Sequence, residues 1–198
     1  MILDFKNKLV FISTSKTAST SVESVLRPLE HCGHLGGKKL KHLSFTQFLE
    51  IRFGLGVGPE WQTFAIARHP AEKAVSWYNY RRRLSPKKTP RSTRNMSYQE
   101  FIRNLTKHDF ISMDDSLKVT DKLGEQVDFL FNFSKMSYVE NFLFQTYGIA
   151  KLPKKNSSDR HATKYLLSVE DRLLTEEILE RQIENYNKLQ FSVFESKR

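Results

Sequence analysis

The chain has 198 residues, of which 32 are Lys or Arg and 22 are Asp or Glu, so its formal net charge is +10 at pH 7. Hydrophobic residues make up 39% and charged residues 27%, which is typical of one folded domain and excludes a disordered chain. The single cysteine, Cys32, excludes a disulfide framework and any multi-cysteine zinc or iron–sulfur site. No apolar run approaches the ~18 residues of a membrane span, and no signal-peptide pattern is visible, so we expect a cytoplasmic protein.

The charge balance is the first positive indication of function. A net charge of +10 attracts anions, and the candidates are nucleic acid, acidic lipid, an anionic glycan or a phosphorylated cofactor. Composition does not choose among them, so the choice depends on how the basic residues are arranged.

The first recognisable unit is a strand, a polar turn and a helix. Residues 8–12 are an apolar run that predicts a buried strand. Residues 13–21 are nine small or polar residues that include one lysine, Lys16. Val22 and the apolar residues after it recur at helical spacing, and Pro28 indicates the end of the helix.

The same order recurs further along the chain. Residues 62–67 predict a second buried strand, which ends at Arg68, His69 and Pro70. Residues 71–82 then predict a helix, because Pro70 is tolerated in a first helical turn. Two strand–turn–helix units, each with a basic residue in its turn, favour an α/β fold with a parallel sheet.

The remaining elements follow from periodicity and turn residues. Ser44 is placed to cap a helix over residues 45–53, and Ser97 begins a helix that reaches about residue 107. We also predict a short strand near the end of the loop 31–42, strands over residues 127–133 and 136–139, a helix ending near residue 147 and a final helix over residues 175–189. No repeat or domain boundary is visible, so we predict a single domain over residues 1–198.

A strongly basic segment follows the second unit. Residues 81–94 carry seven basic residues, no acidic residue and two prolines, which predicts an exposed basic loop over residues 81–96. A solvated loop needs no further explanation, whereas a functional loop would contact an anionic acceptor. The sequence favours the functional role slightly, since the net charge exceeds what one cofactor requires.

The turn after the first strand has the chemistry of an anion site. The first N–H groups of a helix point outward without partners, and the helix dipole adds partial positive charge. Lys16 adds a full charge, and hydroxyl donors are available from Thr17, Ser19, Thr20 and Ser21. The turn lacks the glycines of a nucleoside-triphosphatase loop, which disfavours an ATPase or GTPase. On these residues alone, a capped helix start with a solvated lysine is an equal alternative.

Both turns resemble motifs of one enzyme family. Residues 10–21, Val-Phe-Ile-Ser-Thr-Ser-Lys-Thr-Ala-Ser-Thr-Ser, resemble the 5′-phosphosulfate loop of sulfotransferases that use 3′-phosphoadenosine 5′-phosphosulfate (PAPS), and the similarity is closest to the carbohydrate type. Residues 64–78, in which Ser76 follows Arg68 by eight positions, resemble the 3′-phosphate motif of that family. Residues 138–141, Tyr-Val-Glu-Asn, resemble its later Glu-Asn element. Both main motifs occur in order, on matching strand–turn–helix units.

The resemblance implies a fold and a reaction. The expected fold is a three-layer α/β/α arrangement with a central parallel sheet, of the P-loop-like sulfotransferase type. The expected reaction moves a sulfuryl group from PAPS to an acceptor hydroxyl by in-line displacement, leaves 3′,5′-bisphosphoadenosine (PAP) and needs no metal. Two departures affect the turns: Ser15 stands where the family usually has Pro, and His69 stands where Asp is common.

The resemblance also implies roles for individual residues. Lys16 would bind the 5′-phosphate and stabilise the charge that develops on the leaving oxygen, which makes it both catalytic and cofactor-binding. Arg68 and Ser76 would hold the 3′-phosphate. The expected cofactor-binding residues are Lys16, Thr17, Ala18, Ser19, Thr20, Ser21, Arg68, Ser76, Lys155, Asn156 and Ser157.

An acceptor hydroxyl also needs a base near neutral pH. His42 is the first candidate, because it lies between a possible strand and a helix, where the site of an α/β protein would be lined. Glu23 on the first helix is the alternative, and His31 and His34 lie in a less defined loop. A surface histidine without function is an equal interpretation of His42.

The expected partner is an anionic or carbohydrate acceptor, with no nucleic acid and no membrane span. Two other functions stay open: a basic nucleic-acid-binding protein, and a nucleotide or small-molecule kinase with a degenerate phosphate loop. The first lacks a helix-turn-helix, zinc-finger or RNP signature, and the second lacks Gly-Lys-Ser/Thr. A sulfotransferase fold without activity ranks lower, because Lys16, Arg68 and Ser76 are all present. The oligomeric state is not readable from the sequence.

Overall fold

A five-stranded sheet organises the first part of the structure, a computed structural model that describes residues 1–35, 37, 40–86, 89–154 and 166–195. Each strand has between three and six residues. The strands are β1 (Ile2–Asp4), β2 (Leu9–Ile12), β3 (Cys32–His34), β4 (Gln62–Ala67) and β5 (Phe129–Asn132).

The sheet is mixed rather than parallel throughout. Its order is β3-β1-β2-β4-β5, and the pairs β2–β4 and β4–β5 are parallel. Strand β1 is antiparallel to both β2 and β3, because the four residues between β1 and β2 allow only a tight reversal, whereas parallel neighbours need a long crossover. The predicted α/β class is therefore confirmed.

The helices connect the strands or follow them. The described residues include α1 (Ser19–Leu26), α2 (Phe45–Ile51), α3 (Pro70–Arg82), α4 (Tyr98–Arg103), α5 (Lys107–Met113), α6 (Ser116–Val119), α7 (Met136–Tyr147), α8 (Val169–Ile178) and α9 (Glu180–Asn187). Short 3-10 helices follow α2 at Arg52–Leu55 and β5 at Phe133–Lys135. None of the helices in the described part of the chain has both the length and the apolar composition of a membrane span.

The chain divides into two compact units. Unit 1 comprises the described residues of Met1–Arg68, Asp115–Lys155 and Leu189–Arg198, and it contains the sheet. Its core lies where α1 and α7 pack on the strands. The aligned residues Phe11 and Phe64 of neighbouring parallel strands stack with ring centroids 4.8 Å apart, and Phe142 of α7 packs 5.1 Å from Phe64.

Unit 2 is helical. It comprises the described residues of His69–Asp114 and Asn156–Lys188, with α3, α4, α5, α8 and α9. Its core contains Tyr78, Tyr98 and Phe101 around the fully buried Ala74 and Leu179. The hydroxyls of Tyr98 and Thr175 lie 3.0 Å apart, so the buried phenol has a hydrogen-bond partner.

The central predictions for strands and helices are confirmed, and several others differ. Residues 62–67 form β4 as predicted, and β2 and α3 lie within one or two residues of the predicted bounds. The predicted strand over residues 136–139 is wrong: these residues begin α7, because Val139, Phe142 and Leu143 share a helical face toward the core. The predicted final helix is two helices that meet at the buried Leu179.

The basic segment after the second unit is partly anchored. Helix α3 extends to Arg82, and Arg81 is buried against the carboxylate of Asp109, with which it forms a hydrogen-bonded ion pair. Thr93 is also buried, and its hydroxyl donates to the carbonyl oxygen of Tyr78 across 2.9 Å. The expectation of an exposed segment therefore does not hold for Arg81 and Thr93, whereas Arg82 and Arg83 are exposed.

Candidate anion-binding site

The polar turn after β2 and the residue after β4 lie at the same edge of the sheet in unit 1. The parallel register pairs Leu9 with Gln62 and Ile12 with Ala65, so the two strands end side by side. The carboxyl ends of parallel strands are where α/β proteins build their sites. Residues 13–18, which follow β2, and Arg68, which follows β4, therefore lie at this end of the sheet.

The backbone of the turn presents the start of α1 without a side-chain cap. Lys16 and Ala18 adopt left-handed conformations, with φ of 65° and 60°. Ala18 is the N-cap and has no side chain that could accept a hydrogen bond from the helix. Helices α2, α4, α5 and α8 have such caps, at Ser44, Ser97, Thr106 and Ser168, whereas α3, α6, α7 and α9 lack one as α1 does. The uncapped start of α1 would suit an anion in the place of a side-chain cap.

Two buried threonines hold the turn in place. The Thr14 hydroxyl donates to the carbonyl oxygen of Ile66 in β4. The Thr17 hydroxyl lies 2.7 Å from the Thr14 hydroxyl and 3.1 Å from the Thr14 carbonyl oxygen, so its own proton is directed inside the turn. Thr17 is fully buried. We therefore expect Thr17 to bind a ligand through its main-chain N–H, because its hydroxyl already forms hydrogen bonds within the turn.

The other turn residues differ in exposure. Lys16, Ala18 and Thr20 are half-buried, whereas Ser19 and Ser21 are buried. Thr20 is therefore the hydroxyl of this group that is most accessible to a ligand at the helix start.

Arg68 is the residue that joins the two turns. Its Nη1 donates to the carbonyl oxygen of Lys16 across 3.2 Å, and its main-chain N–H donates to Oδ2 of Asp115 across 2.9 Å. Its guanidinium lies 4.2 Å from the ring centroid of Phe133, which follows β5. The aromatic face and the buried Asp115 hold the arginine beside the turn. Lys16 and Arg68, predicted from separate motifs, are therefore brought together.

The other predicted cofactor-binding residues are Ser76 and residues 155–157. Ser76 is half-buried on α3 in unit 2, whereas Arg68 belongs to unit 1. His69 is the N-cap of α3, and its ring packs edge-on against Tyr186 at 5.3 Å. Burial lowers the pKa of His69, which favours its neutral form. Lys155, Asn156 and Ser157 lie outside the described residues.

Glu23, the alternative base, is the centre of an ionic cluster in unit 1. Its Oε1 accepts a hydrogen bond from the Ser13 hydroxyl across 3.0 Å, and its Oε2 lies 3.0 Å from the Lys41 ammonium. The amino group of Met1 lies 3.9 Å from Oε1. Burial alone would raise the pKa of Glu23, but these partners, led by Lys41, lower it below its ordinary value. Glu23 is thus an engaged carboxylate, which makes it the weaker candidate for a base.

His42, the first candidate base, has a defined tautomer. Its Nδ1 lies 2.8 Å from the carbonyl oxygen of Ser13. A carbonyl oxygen only accepts hydrogen bonds, so Nδ1 carries the proton and Nε2 keeps its lone pair. Burial lowers the pKa of His42 below 6.5, although the bond to Ser13 opposes this effect. The ring is therefore a neutral imidazole at neutral pH, and Nε2 can accept a proton.

Several residues of this edge carry no clear signal in the sequence. Asp115 lies 47 positions from Arg68, and Phe133 is one of 15 phenylalanines. Lys41 is one lysine of a basic stretch, and its partner Glu23 is 18 positions away. The tertiary fold alone brings these side chains to the turn.

Comparison with known proteins does not assign a family. No profile of a protein family matches the chain, and no curated protein matches it significantly. The function has to be inferred from the chain's own residues.

Proposed function

We propose that this chain is a PAPS-dependent sulfotransferase that moves a sulfuryl group to an acceptor hydroxyl, with a carbohydrate as the acceptor class. The observation that supports the proposal most is the hydrogen bond between Arg68 and the Lys16 carbonyl oxygen. It joins the two turns that separately resemble the 5′- and 3′-phosphate motifs of the family. In PAPS both phosphate groups belong to one nucleotide, so these motifs have to lie close together.

The turn suits the 5′-phosphosulfate group. The start of α1 has no side-chain cap, and a turn with left-handed residues such as Lys16 and Ala18 is the kind of backbone that forms anion-binding concavities. In this proposal the N–H groups of residues 17–20 and the Thr20 hydroxyl bind the 5′-phosphate, because the N–H of Ser21 already donates to the carbonyl oxygen of Ala18. Arg68 binds the 3′-phosphate.

Lys16 has the main electrostatic role. When bound, PAPS supplies a sulfuryl group attached to a phosphate leaving group. The Lys16 ammonium stabilises the negative charge that develops on the leaving oxygen, and the dipole of α1 contributes in the same direction. The turn is held by Thr14 and Arg68, so these donors are in position before the reaction begins.

His42 acts as the base in this proposal. Its Nε2 accepts the proton of the acceptor hydroxyl, while Nδ1–H remains bonded to the Ser13 carbonyl oxygen. That hydrogen bond fixes the ring orientation and becomes stronger when the ring gains a positive charge. Glu23 supports the same arrangement, because its Oε1 accepts a hydrogen bond from the Ser13 hydroxyl.

A cleft in unit 1 supports an anionic acceptor. It has a volume of about 350 Å³ and is lined by Glu23, Arg27, His34, Gly37 and Lys41. Burial is the largest cause that lowers the pKa of His34, and the positive charges of Arg27 and Lys41 lower it further. A carboxylate or sulfate group on a glycan would be attracted to the Arg27 side of this cleft.

For the fold, we propose the P-loop-like sulfotransferase type. The parallel strands β2, β4 and β5 would form its central sheet, with β1 and β3 as antiparallel additions at one edge. The two strand–turn–helix units β2–α1 and β4–α3 have the chain order that this fold requires.

The test is calorimetric titration of the full chain with 3′,5′-bisphosphoadenosine. AMP, ATP with Mg²⁺ and a short DNA duplex serve as comparison ligands. We expect 1:1 binding of the bisphosphate that weakens at least tenfold when its 3′-phosphate is absent. Preference for ATP with Mg²⁺ would support a kinase, and preference for DNA would support a nucleic-acid-binding protein; either result overturns the proposal.

A further inference from the structure

Three potential metal ligands meet at the end of the sheet opposite the polar turn. They are the carboxylate of Asp4, Nε2 of His31 and Sγ of Cys32, and these ligand atoms all lie within 4.8 Å of one another. Nε2 of His31 is 3.7 Å from Oδ1 of Asp4. Asp4 pairs with Leu9 at the beginning of β2, whereas the polar turn follows the end of that strand. The cluster is therefore separate from the proposed sulfotransferase site.

The backbone places these ligands without help from a metal. Asp4 in β1 and Cys32 in β3 are direct partners across an antiparallel pair, so their side chains leave the same face of the sheet. The main-chain N–H of Phe5 donates to the carbonyl oxygen of His31 across 3.0 Å, which extends this pairing by one residue. The position of His31 beside the pair is therefore fixed by the same ladder.

One nitrogen of the cluster, Nε2 of His31, is buried and lacks a hydrogen-bond partner among the described residues. The Tyr147 hydroxyl is buried as well, and burial, followed by its interaction with the Asp4 carboxylate, raises the pKa of that phenol. Buried polar groups are normally paired, so the unpaired nitrogen of His31 indicates a missing partner.

A charged histidine does not explain the cluster. Asp4 is 1% exposed, and among the described residues its ion-pair partner is His31. A protonated His31 would have to donate Nε2–H to Asp4, but 3.7 Å is too long for a hydrogen bond. The Asp4 carboxylate is oriented instead by the N–H groups of Lys6 and Asn7 and by the Asn7 side chain. These three hydrogen bonds leave the Asp4 carboxylate able to bind one further partner, such as a cation.

We propose that Asp4, His31 and Cys32 form a binding site for a zinc-type divalent cation. One carboxylate oxygen, one imidazole nitrogen and one thiolate sulfur are a ligand set that Zn²⁺ accepts. An ion at the centre of the three atoms lies at most about 2.8 Å from each, so inward shifts of about 0.5 Å for the sulfur and about 0.7 Å for the nitrogen and oxygen give ordinary zinc–ligand bonds. The Cys32 thiol releases its proton to solvent, and water or the Tyr147 hydroxyl takes the fourth position.

The ion would connect β1 to β3, an edge strand of the sheet. A ligand that binds only the folded chain raises its thermal stability in proportion to the logarithm of ligand concentration. The chain from β3 leads through residues 35–41 to His42, so the ion would also fix the beginning of the segment that carries the candidate base.

The test uses the full chain, stripped of metal with a chelator and titrated with Co²⁺ and then with Zn²⁺. We expect one equivalent of Co²⁺ to produce a thiolate-to-cobalt absorption band that Zn²⁺ removes. Saturating Zn²⁺ should raise the melting temperature by about 5 °C or more. Since Cys32 is the only cysteine, Zn²⁺ should also slow alkylation of the protein by iodoacetamide at least tenfold.

Variants separate this site from adventitious binding. Cys32→Ser should abolish the absorption band, and His31→Gln should weaken Zn²⁺ binding at least tenfold. His108→Gln, a change at another histidine of the chain, should leave both measurements unchanged. The proposal is overturned if alkylation of the wild-type chain is insensitive to saturating Zn²⁺, or if Cys32→Ser and His31→Gln bind the ion as tightly as wild type.

Discussion

Arg68 holds the main-chain carbonyl of Lys16 through a 3.2 Å hydrogen bond from its Nη1. The two residues are 52 positions apart: Arg68 directly follows β4, and Lys16 lies in the turn that follows β2. One guanidinium therefore contributes to the shape of the first turn as well as to the charge at the end of the second strand. Changes at Arg68 and Lys16 are consequently expected to be non-additive in ligand binding.

Lys16→Ala should weaken binding of 3′,5′-bisphosphoadenosine by about 10- to 100-fold, which is typical for the loss of one charged hydrogen bond. The side chain is half-buried at the helix start, so the melting temperature should change little. Lys6→Ala is the matched control, because Lys6 is an exposed lysine at the opposite end of β2. Calorimetry with both variants measures the difference, and equal affinities would remove Lys16 from the site.

Arg68→Ala should weaken 3′,5′-bisphosphoadenosine far more than adenosine 5′-phosphosulfate, which has no 3′-phosphate. We expect about a 10- to 100-fold loss for the first ligand and a change of a few-fold for the second. Competition binding with both nucleotides measures the ratio. Equal losses would assign Arg68 to the shape of the Lys16 turn alone.

His42 should titrate below 6.5 and should carry its proton on Nδ1 in the neutral form, because of its burial and its bond to Ser13. Nitrogen-15 NMR over a pH series measures both properties. His42→Asn keeps a donor near the Ser13 carbonyl oxygen but removes the base, so it should retain nucleotide binding and lose about 10²- to 10⁴-fold in transfer rate. Full activity in this variant would exclude His42 as the base.

Glu23 should make stability depend on pH on the acid side. Its pKa in the folded chain is lower than 4.5, so the unfolded chain binds more protons, and stability is lost as pH falls through the folded value. Glu23→Gln should therefore cost about 1–3 kcal/mol at pH 7 and much less in strong acid. Urea unfolding at several pH values measures the trend. Glu60→Gln, at an exposed pair with Lys8, is the control and should leave the free energy of unfolding unchanged within the error of the measurement.

Arg81→Met should destabilise unit 2 by about 3–5 kcal/mol, because it leaves the buried carboxylate of Asp109 without its cation. Arg82→Met is the control, since Arg82 is the exposed neighbour on the same helix. Urea unfolding of the two variants makes the comparison. Similar free energies of unfolding would mean that the Arg81–Asp109 pair adds little to stability.

The α/β class, β2, β4 and α3 could be predicted because each has a strong local pattern. The strand Gln62–Ala67 is an apolar run bounded by turn residues, and α3 begins with Pro70. By contrast, β1 and β3 have three residues each, too few for a periodic signal. The predicted strand at residues 136–139 shows the same limit, because its helical period becomes visible only with Phe142 and Leu143.

Lys16 and Arg68 could be singled out from the sequence because each lies in a short polar segment directly after a strand pattern. Lys16 and Arg68 were each identified from the residues around them. The roles of Glu23 and Asp115 were not, because a carboxylate reveals its partners only after folding. Glu23 is engaged by Ser13 and Lys41, and Asp115 receives the N–H of Arg68 from another part of the chain.

The left-handed backbone at Lys16 and Ala18 has a consequence for the energetics of binding. This conformation costs a residue with a Cβ atom roughly 1–2 kcal/mol. The folded chain adopts it at both positions without a ligand, so this free energy is not part of the cost of binding. Little conformational entropy is then left to lose when an anion binds. A glycine at position 18 would relax the turn and stabilise the fold, but it would also restore the freedom that binding has to remove. Stability and affinity are therefore opposed at this one position.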